Sequence, residues 1–214
     1  ADWCLGELKK TLEAEGILEN TLIIFSSDNG PVLNDGYYDD ADVKNGDHTP
    51  WGPFRGGKYS LFEAGTHVPF FTYWRGKIQP GVSNAMVSQL DLLSSLAELV
   101  GSDVRTNDSL PLMDLLMGKS DQGRDELVIE ATSRTAYKNR SWVMIPPYKG
   151  PAKNDKVQIE LGNNTEFQLY NLAQDIGQQY NLAESQPEKL QEMLFAFEKV
   201  RGQDYGKTQK MELK

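Results

Sequence analysis

The sequence predicts an α/β protein in two parts, residues 1–125 and 126–214. Three observations carry this. A helical pattern over 2–15 leads into the apolar run Leu22-Ile23-Ile24-Phe25, and a second run, Phe70–Trp74, leads into another helical pattern over 88–100. Beyond residue 125, short β-type runs follow one another with no helix between them until a last helix begins near Ser185. The first part therefore reads as the back of a mixed sheet flanked by helices. The second reads as a small α+β subdomain, an antiparallel sheet with a C-terminal helix laid on it.

Each element has a local reason. In 2–15, Leu5, Leu8 and Leu12 share a face with Trp3 and Cys4 beside it, and Gly16 stops the helix. Four apolar residues closed by Ser26-Ser27-Asp28-Asn29-Gly30 read as a strand buried among parallel neighbours. No strand precedes the first helix, so the chain reads as part of a larger protein. It opens with Ala1 rather than Met, as a processed or excised chain would. Residues 31–52 lack periodicity and read as a long loop, a form usually functional when it occurs. Over 88–100 the stripe Leu90, Leu93, Leu96, Ala97 and Val100 is the expected buried face, with Ser88 and Asp91 as a capping box. The β-type runs are 127–131, 141–145, 156–161 and 166–170. Ser185-Gln186-Pro187-Glu188 opens the last helix, whose apolar face is Leu190, Met193, Leu194, Phe197 and Val200.

Bulk properties exclude some functions. A net charge of −9 argues against nucleic acid as the main partner, which would need a basic face. No apolar run approaches membrane-spanning length. A single cysteine, Cys4, allows no internal disulfide and no multi-cysteine metal site.

The chemistry concentrates between Leu22 and Pro69. Asp28 and Asn29 stand where a strand ends, the place where open α/β sheets bind ligands. An oxygen-only pair suits a hard cation such as calcium or magnesium. Lys58, carried on Gly56-Gly57, offers a positive charge and close backbone approach to an anion. His48 in the loop is a candidate substrate contact or proton donor. Tyr37, Tyr38 and Trp51 are candidates to line a sugar subsite, or simply to pack the loop down. Glu63 and His67 read as structural, and Arg55 as half of an ion pair or as an aid in binding an anion.

Taken in order, Ser27-Asp28-Asn29-Gly30-Pro31, the long loop, Arg55-Gly56-Gly57-Lys58, then Glu63, Gly65, Val68 and Pro69 before a strand resemble the second half of the formylglycine-dependent sulfatases. These are arylsulfatase-type enzymes of the alkaline-phosphatase-like superfamily. The resemblance extends to Asp2–Gly16, Gln89–Leu93, Ser109–Leu112 and the segments Gln168–Leu172 and Asn181–Ala183.

The resemblance implies an alkaline-phosphatase-like fold and hydrolysis of a sulfate ester, on a sulfated carbohydrate or an aryl sulfate. It implies that Asp28 and Asn29 ligate a divalent cation, usually calcium, and that Lys58 contacts the sulfate. His48 would contact a sugar or donate a proton. The family's nucleophile is a formylglycine made from a cysteine in Cys-x-Pro/Ala-x-Arg. Cys4, followed by Leu5-Gly6-Glu7 and expected on the buried face of its helix, does not fit that motif. The nucleophile is therefore expected in a missing N-terminal half, a partner without which this chain is inactive. A periplasmic, secreted or lysosomal location goes with the family. Two departures stand out: Ala64 where the family usually has glycine, and His67 where it usually has arginine. Two other readings stay open, a phosphoester or phosphonate hydrolase of the same superfamily, and a non-catalytic module binding a glycan or partner.

Overall fold

The computed structural model describes residues 1–37 and 39–202. Tyr38 therefore lies outside the described residues. The chain divides into two compact units, residues 1–26 with 69–125, and residues 27–68 with 126–214. Both this division and the linear one have a boundary at 125/126; segment 27–68 goes with the second unit.

In the first unit, α1 (Asp2–Ala14) leads through a short 3-10 turn to β1 (Ile23–Phe25). Its partner is β2 (Phe71–Tyr73), and the pair runs antiparallel with Ile23 opposite Tyr73 and Phe25 opposite Phe71. The rings of Phe25 and Phe71 stack at 4.9 Å. This differs from the expected strand among parallel neighbours: only Ile23 is buried, because a two-stranded ribbon leaves its outer edges open. The apolar core is Trp74, Met113, Leu116 and Met117, the last three on or beside the one-turn helix α4 (Met113–Leu116). Trp74 donates its indole N–H to the Glu19 carbonyl at 2.8 Å, the partner a buried indole needs.

Two helix faces differ from expectation. No residue of α1 is buried, and Cys4 is exposed. In α3 (Asp91–Leu99) the buried residues are Asp91, Ser94, Ser95 and Ala97, whereas Leu90, Leu93, Leu96 and Val100 are exposed. Hydrogen bonds decide this. Asp91 accepts the Ser88 N–H at 2.9 Å, as the capping box predicts, and also the Leu110 N–H and two N–H groups of Arg124. Ser94 exchanges hydrogen bonds with Ser109, and the Ser95 hydroxyl accepts the Leu112 N–H. A carboxylate with no exposed surface requires such partners, so the polar face turns inward within this unit.

The second unit is built on a four-stranded antiparallel sheet, β3 (Glu126–Ala131), β4 (Arg134–Asn139), β5 (Trp142–Ile145) and β8 (Gln168–Asn171), in the order β3-β4-β5-β8. A small hairpin, β6 (Lys153–Asn154) with β7 (Ile159–Glu160), replaces the single strand expected over 156–161. Strand β4 had no sequence signal. Its turn, Thr132-Ser133, has φ of +48° and +63°, the left-handed pair a two-residue hairpin requires, without the glycine or asparagine that usually announces it.

Alternation along the strands serves both faces of this sheet. Ala136, Val143, Ile145 and Tyr170 pack with Leu61 and Phe62 on one side. Tyr137, Met144 and Leu169 pack with Met193 and Phe197 of α5 (Pro187–Arg201) on the other. Phe197 is fully buried, and trimming it to alanine would cost about 3–5 kcal/mol. The Ser185 hydroxyl donates to the Leu182 carbonyl at 3.3 Å, so the expected capping box does not form and Pro187 opens the helix. Among the described residues no helix is long and apolar enough to cross a membrane.

Candidate active site

Segment 27–68 is fastened to the second unit by several bonds. Leu61 donates its N–H to the Leu161 carbonyl at 3.1 Å, and the Ser60 hydroxyl donates to the Glu160 carbonyl at 2.6 Å. Arg55 grips Glu160 with Nε and Nη2 at 2.8 and 2.6 Å and donates Nη1 to the Gln178 carbonyl at 2.7 Å. The pairing raises the Arg55 pKa above its ordinary value and lowers that of Glu160. The structural reading of Arg55 holds.

Within this segment two stretches of backbone are zipped together. The Gly30 N–H donates to the Gly65 carbonyl at 2.8 Å, and the Lys58 N–H to the Pro31 carbonyl at 2.9 Å. Glycine makes this approach feasible. A Cβ on Gly30 would lie 1.7 Å from the Ala64 carbonyl oxygen, and one on Gly65 would lie 2.2 Å from that of Ser60. The zip places Asp28, Asn29 and Lys58 around one pocket of about 180 Å³, with Thr66, Glu130 of β3 and Thr132 of the β3–β4 turn also lining it.

Asp28 is exposed, and among the described residues its carboxylate has no hydrogen-bond or ion-pair partner. Asn29 donates its amide to the Gly30 carbonyl at 2.9 Å, which leaves Oδ1 to accept. One free carboxylate and one oriented amide oxygen fit a hard cation, but among the described residues no group of three acidic, histidine or cysteine side chains surrounds them. Two ligands are well short of what calcium takes.

Lys58 is not idle. Its ammonium lies 2.5 Å from Asp35, whose other oxygen accepts the Tyr59 hydroxyl at 2.8 Å. Asp35 holds the Lys58 pKa above its ordinary value, which favours the charged ammonium. Tyr59 adopts φ of +74°, a left-handed backbone rare for a bulky residue. Sequence reading missed Asp35, which sits in an aperiodic loop; only its Asp-Gly turn character marked it.

His48 is exposed and does not line this pocket; its carbonyl accepts a hydrogen bond from the Asn45 amide. His67 meets the buried Glu63 carboxylate through Nδ1 at 2.8 Å and stacks on Phe54 at 4.3 Å. Lys138 also donates to Glu63. Burial by itself would raise the Glu63 pKa, but His67 and Lys138 outweigh it, and the carboxyl sits below its ordinary value. Where the family usually has arginine, His67 thus braces the loop. Trp51 and Tyr37 are exposed.

Comparison with known proteins bears on family and fold. The family model described as Sulfatase matches residues 1–102. The chain belongs to the sulfatase family, and its fold is the alkaline-phosphatase-like one. It is 38% identical over 204 residues to an N-acetylgalactosamine-6-O-sulfatase of Bacteroides thetaiotaomicron, covering 94% of this chain and 40% of the relative. Human arylsulfatase A is 31% identical over 209 residues, covering 89% of this chain and 39% of the relative. A solved structure from work on glycosaminoglycan metabolism by Bacteroides thetaiotaomicron superposes with a TM-score of 0.88 at 38% identity, over 93% of this chain and 42% of that one. The sulfatase PsFucS1 from Pseudoalteromonas sp. shares the fold at a TM-score of 0.71 and 24% identity, over 95% of this chain and 42% of that one. The chain thus spans about 40% of the length of these two curated relatives.

Proposed function

We propose that this chain supplies one wall of the active site of a sulfuric ester hydrolase acting on a sulfated carbohydrate. The observation that carries the reading is the convergence of Asp28, Asn29 and Lys58 on one pocket. A bound calcium ion would supply fixed positive charge at the sulfate oxygens. On this chain, Asp28 and Asn29 hold that cation, and Lys58 places a further charge where negative charge grows as the ester bond breaks. His48 enters as a sugar contact from the 41–50 loop.

The formylglycine nucleophile and the remaining ligands belong to polypeptide outside this sequence, and the chain by itself is inactive. Two observations support that. Asp28-Asn29 is an incomplete ligand set among the described residues, and α3 presents Leu90, Leu93 and Leu96 outward, as a helix does when further chain packs on it. The name of one relative, an N-acetylgalactosamine-6-O-sulfatase, favours a glycan substrate, and the family resemblance goes with a secreted, periplasmic or lysosomal setting.

The test is hydrolysis of a sulfated oligosaccharide and of the matched phosphate ester by the full-length protein. Sulfate release is expected to dominate. Lys58→Ala is expected to lower kcat/KM by about 10²–10³, the usual scale for one oriented charge in a site. Asp28→Ala is expected to abolish metal-dependent activity, and His48→Ala to raise KM alone. Full activity in Asp28→Ala or Lys58→Ala would sink the reading, as would preference for the phosphate ester.

A further inference from the structure

We propose that a second cleft in the 27–68/126–214 unit is a saccharide subsite, which takes the sugar beside the sulfated one on an oligosaccharide. The proposal rests on the hydrolase reading for its place in the reaction but not for the binding itself. The cleft has a volume of about 500 Å³, against about 180 Å³ for the pocket at Asp28. That is within the range of ligand sites, roughly 300–1,000 Å³.

Its walls match a pyranose ring. Trp51, 37% exposed, and Phe54 offer aromatic surface to the C–H face of a sugar, over a floor that includes Ile159. Two carboxamides stand at the edge with one end already fixed. Gln158 donates Nε2 to the Asp155 carbonyl at 2.6 Å, and Gln179 donates Nε2 to the Gly177 carbonyl at 2.7 Å. Each leaves Oε1 to accept from a hydroxyl, with little rotamer freedom left to lose. Gln158, with φ of +58°, belongs to the turn that joins β6 to β7, which fixes its backbone at the edge of the cleft.

Charge narrows the ligand. Arg55 is already neutralised by Glu160, so the cleft is no phosphate clamp. Asp42, also in the wall, accepts the N–H of Val43 at 3.0 Å, while Lys156 is exposed and, among the described residues, its ammonium has no ion pair. It suits one carboxylate or sulfate on an otherwise neutral, hydroxyl-rich chain. Position narrows it further. Asn34, in the cleft wall, follows by three residues Pro31, whose carbonyl is bonded to the Lys58 amide. Three residues reach at most about 11 Å, so one oligosaccharide can occupy both places.

The test uses the full-length protein with Trp51→Ala and Lys156→Ala. Calorimetry with a desulfated tetrasaccharide of hexosamine and uronic acid reads the cleft without catalysis. Wild type is expected to bind it, and each variant to bind about tenfold more weakly, while circular dichroism stays unchanged. With the sulfated tetrasaccharide, KM is expected to rise about tenfold at constant kcat, whereas kcat/KM for a small aryl sulfate in Lys156→Ala stays within about twofold. No binding of the desulfated chain by wild type, or equal binding by all three proteins, overturns the subsite. Binding that depends on Trp51 and Lys156 in a protein without sulfatase activity upholds it while the hydrolase reading falls. Should Trp51→Ala misfold, Lys156→Ala decides alone.

Discussion

Lys58 and Asp35 form an ion pair with 2.5 Å between nitrogen and oxygen, in the same pocket region that holds Asp28. The lysine that would meet a sulfate already has an anion. On the proposed function, binding sulfate would mean exchanging a carboxylate partner for another oxyanion, and Asp35 would set how readily that happens.

Asp35→Asn is accordingly expected to strengthen competitive inhibition of the full-length protein by inorganic sulfate, by about two- to fivefold, the scale of a partly solvated ion pair. Inhibition constants measured at fixed ionic strength check this. Weaker inhibition would mean that Asp35 positions Lys58 rather than competing for it.

The 1–214 chain alone is expected to bind calcium only weakly. Asp28 and Asn29 give two ligands where calcium takes six to eight. Calorimetric titration of the chain should give no saturation below about millimolar, the weakest class of protein sites. Submicromolar affinity would show that this chain completes a site by itself.

Gly65→Ala is expected to destabilise the protein by about 3 kcal/mol, the upper part of the overpacking range, because the new methyl would meet the Ser60 backbone oxygen at 2.2 Å. Gly30→Ala, at 1.7 Å from the Ala64 carbonyl, is expected to be worse. Gly6→Ala, with nothing within 4 Å of the new carbon, is the control. Urea midpoints for the three variants test the order.

Acid is expected to loosen the second unit. Glu63 and Glu160 both titrate below their ordinary value, Glu63 through His67 and Lys138 despite its burial, and Glu160 through Arg55. A depressed carboxylate contributes stability that is fully present above its unfolded pKa, about 4.3, and is lost as pH falls through the folded value. Stability should therefore hold down to about pH 4.5 and decline below it. In Glu63→Gln the decline should be shallower and the starting stability lower, since Lys138 loses its partner. Denaturant unfolding between pH 3 and 7 checks both.

The sequence by itself determined the family, and it did so through order. Asp28-Asn29-Gly30, Gly56-Gly57-Lys58 and Glu63-Ala64-Gly65 are each common as short strings, but their succession between two apolar runs is not. It also carried the strands β3, β5 and β8 and helix α5, where period and composition agree with burial. It did not carry β4, whose Thr132-Ser133 turn has left-handed backbone without glycine, nor the inward face of α3. Leu90, Leu93 and Leu96 make the apolar stripe, yet Asp91 turns inward because Arg124, Ser88 and Leu110 satisfy it there. Such partners lie up to 33 residues away, and periodicity within a helix carries no information about them. The same holds at the site. Residue types announced Asp28, Asn29 and Lys58, but only the folded chain, with Gly30 bonded to Gly65 and Lys58 to Pro31, brought them to one pocket and set Asp35 against the lysine.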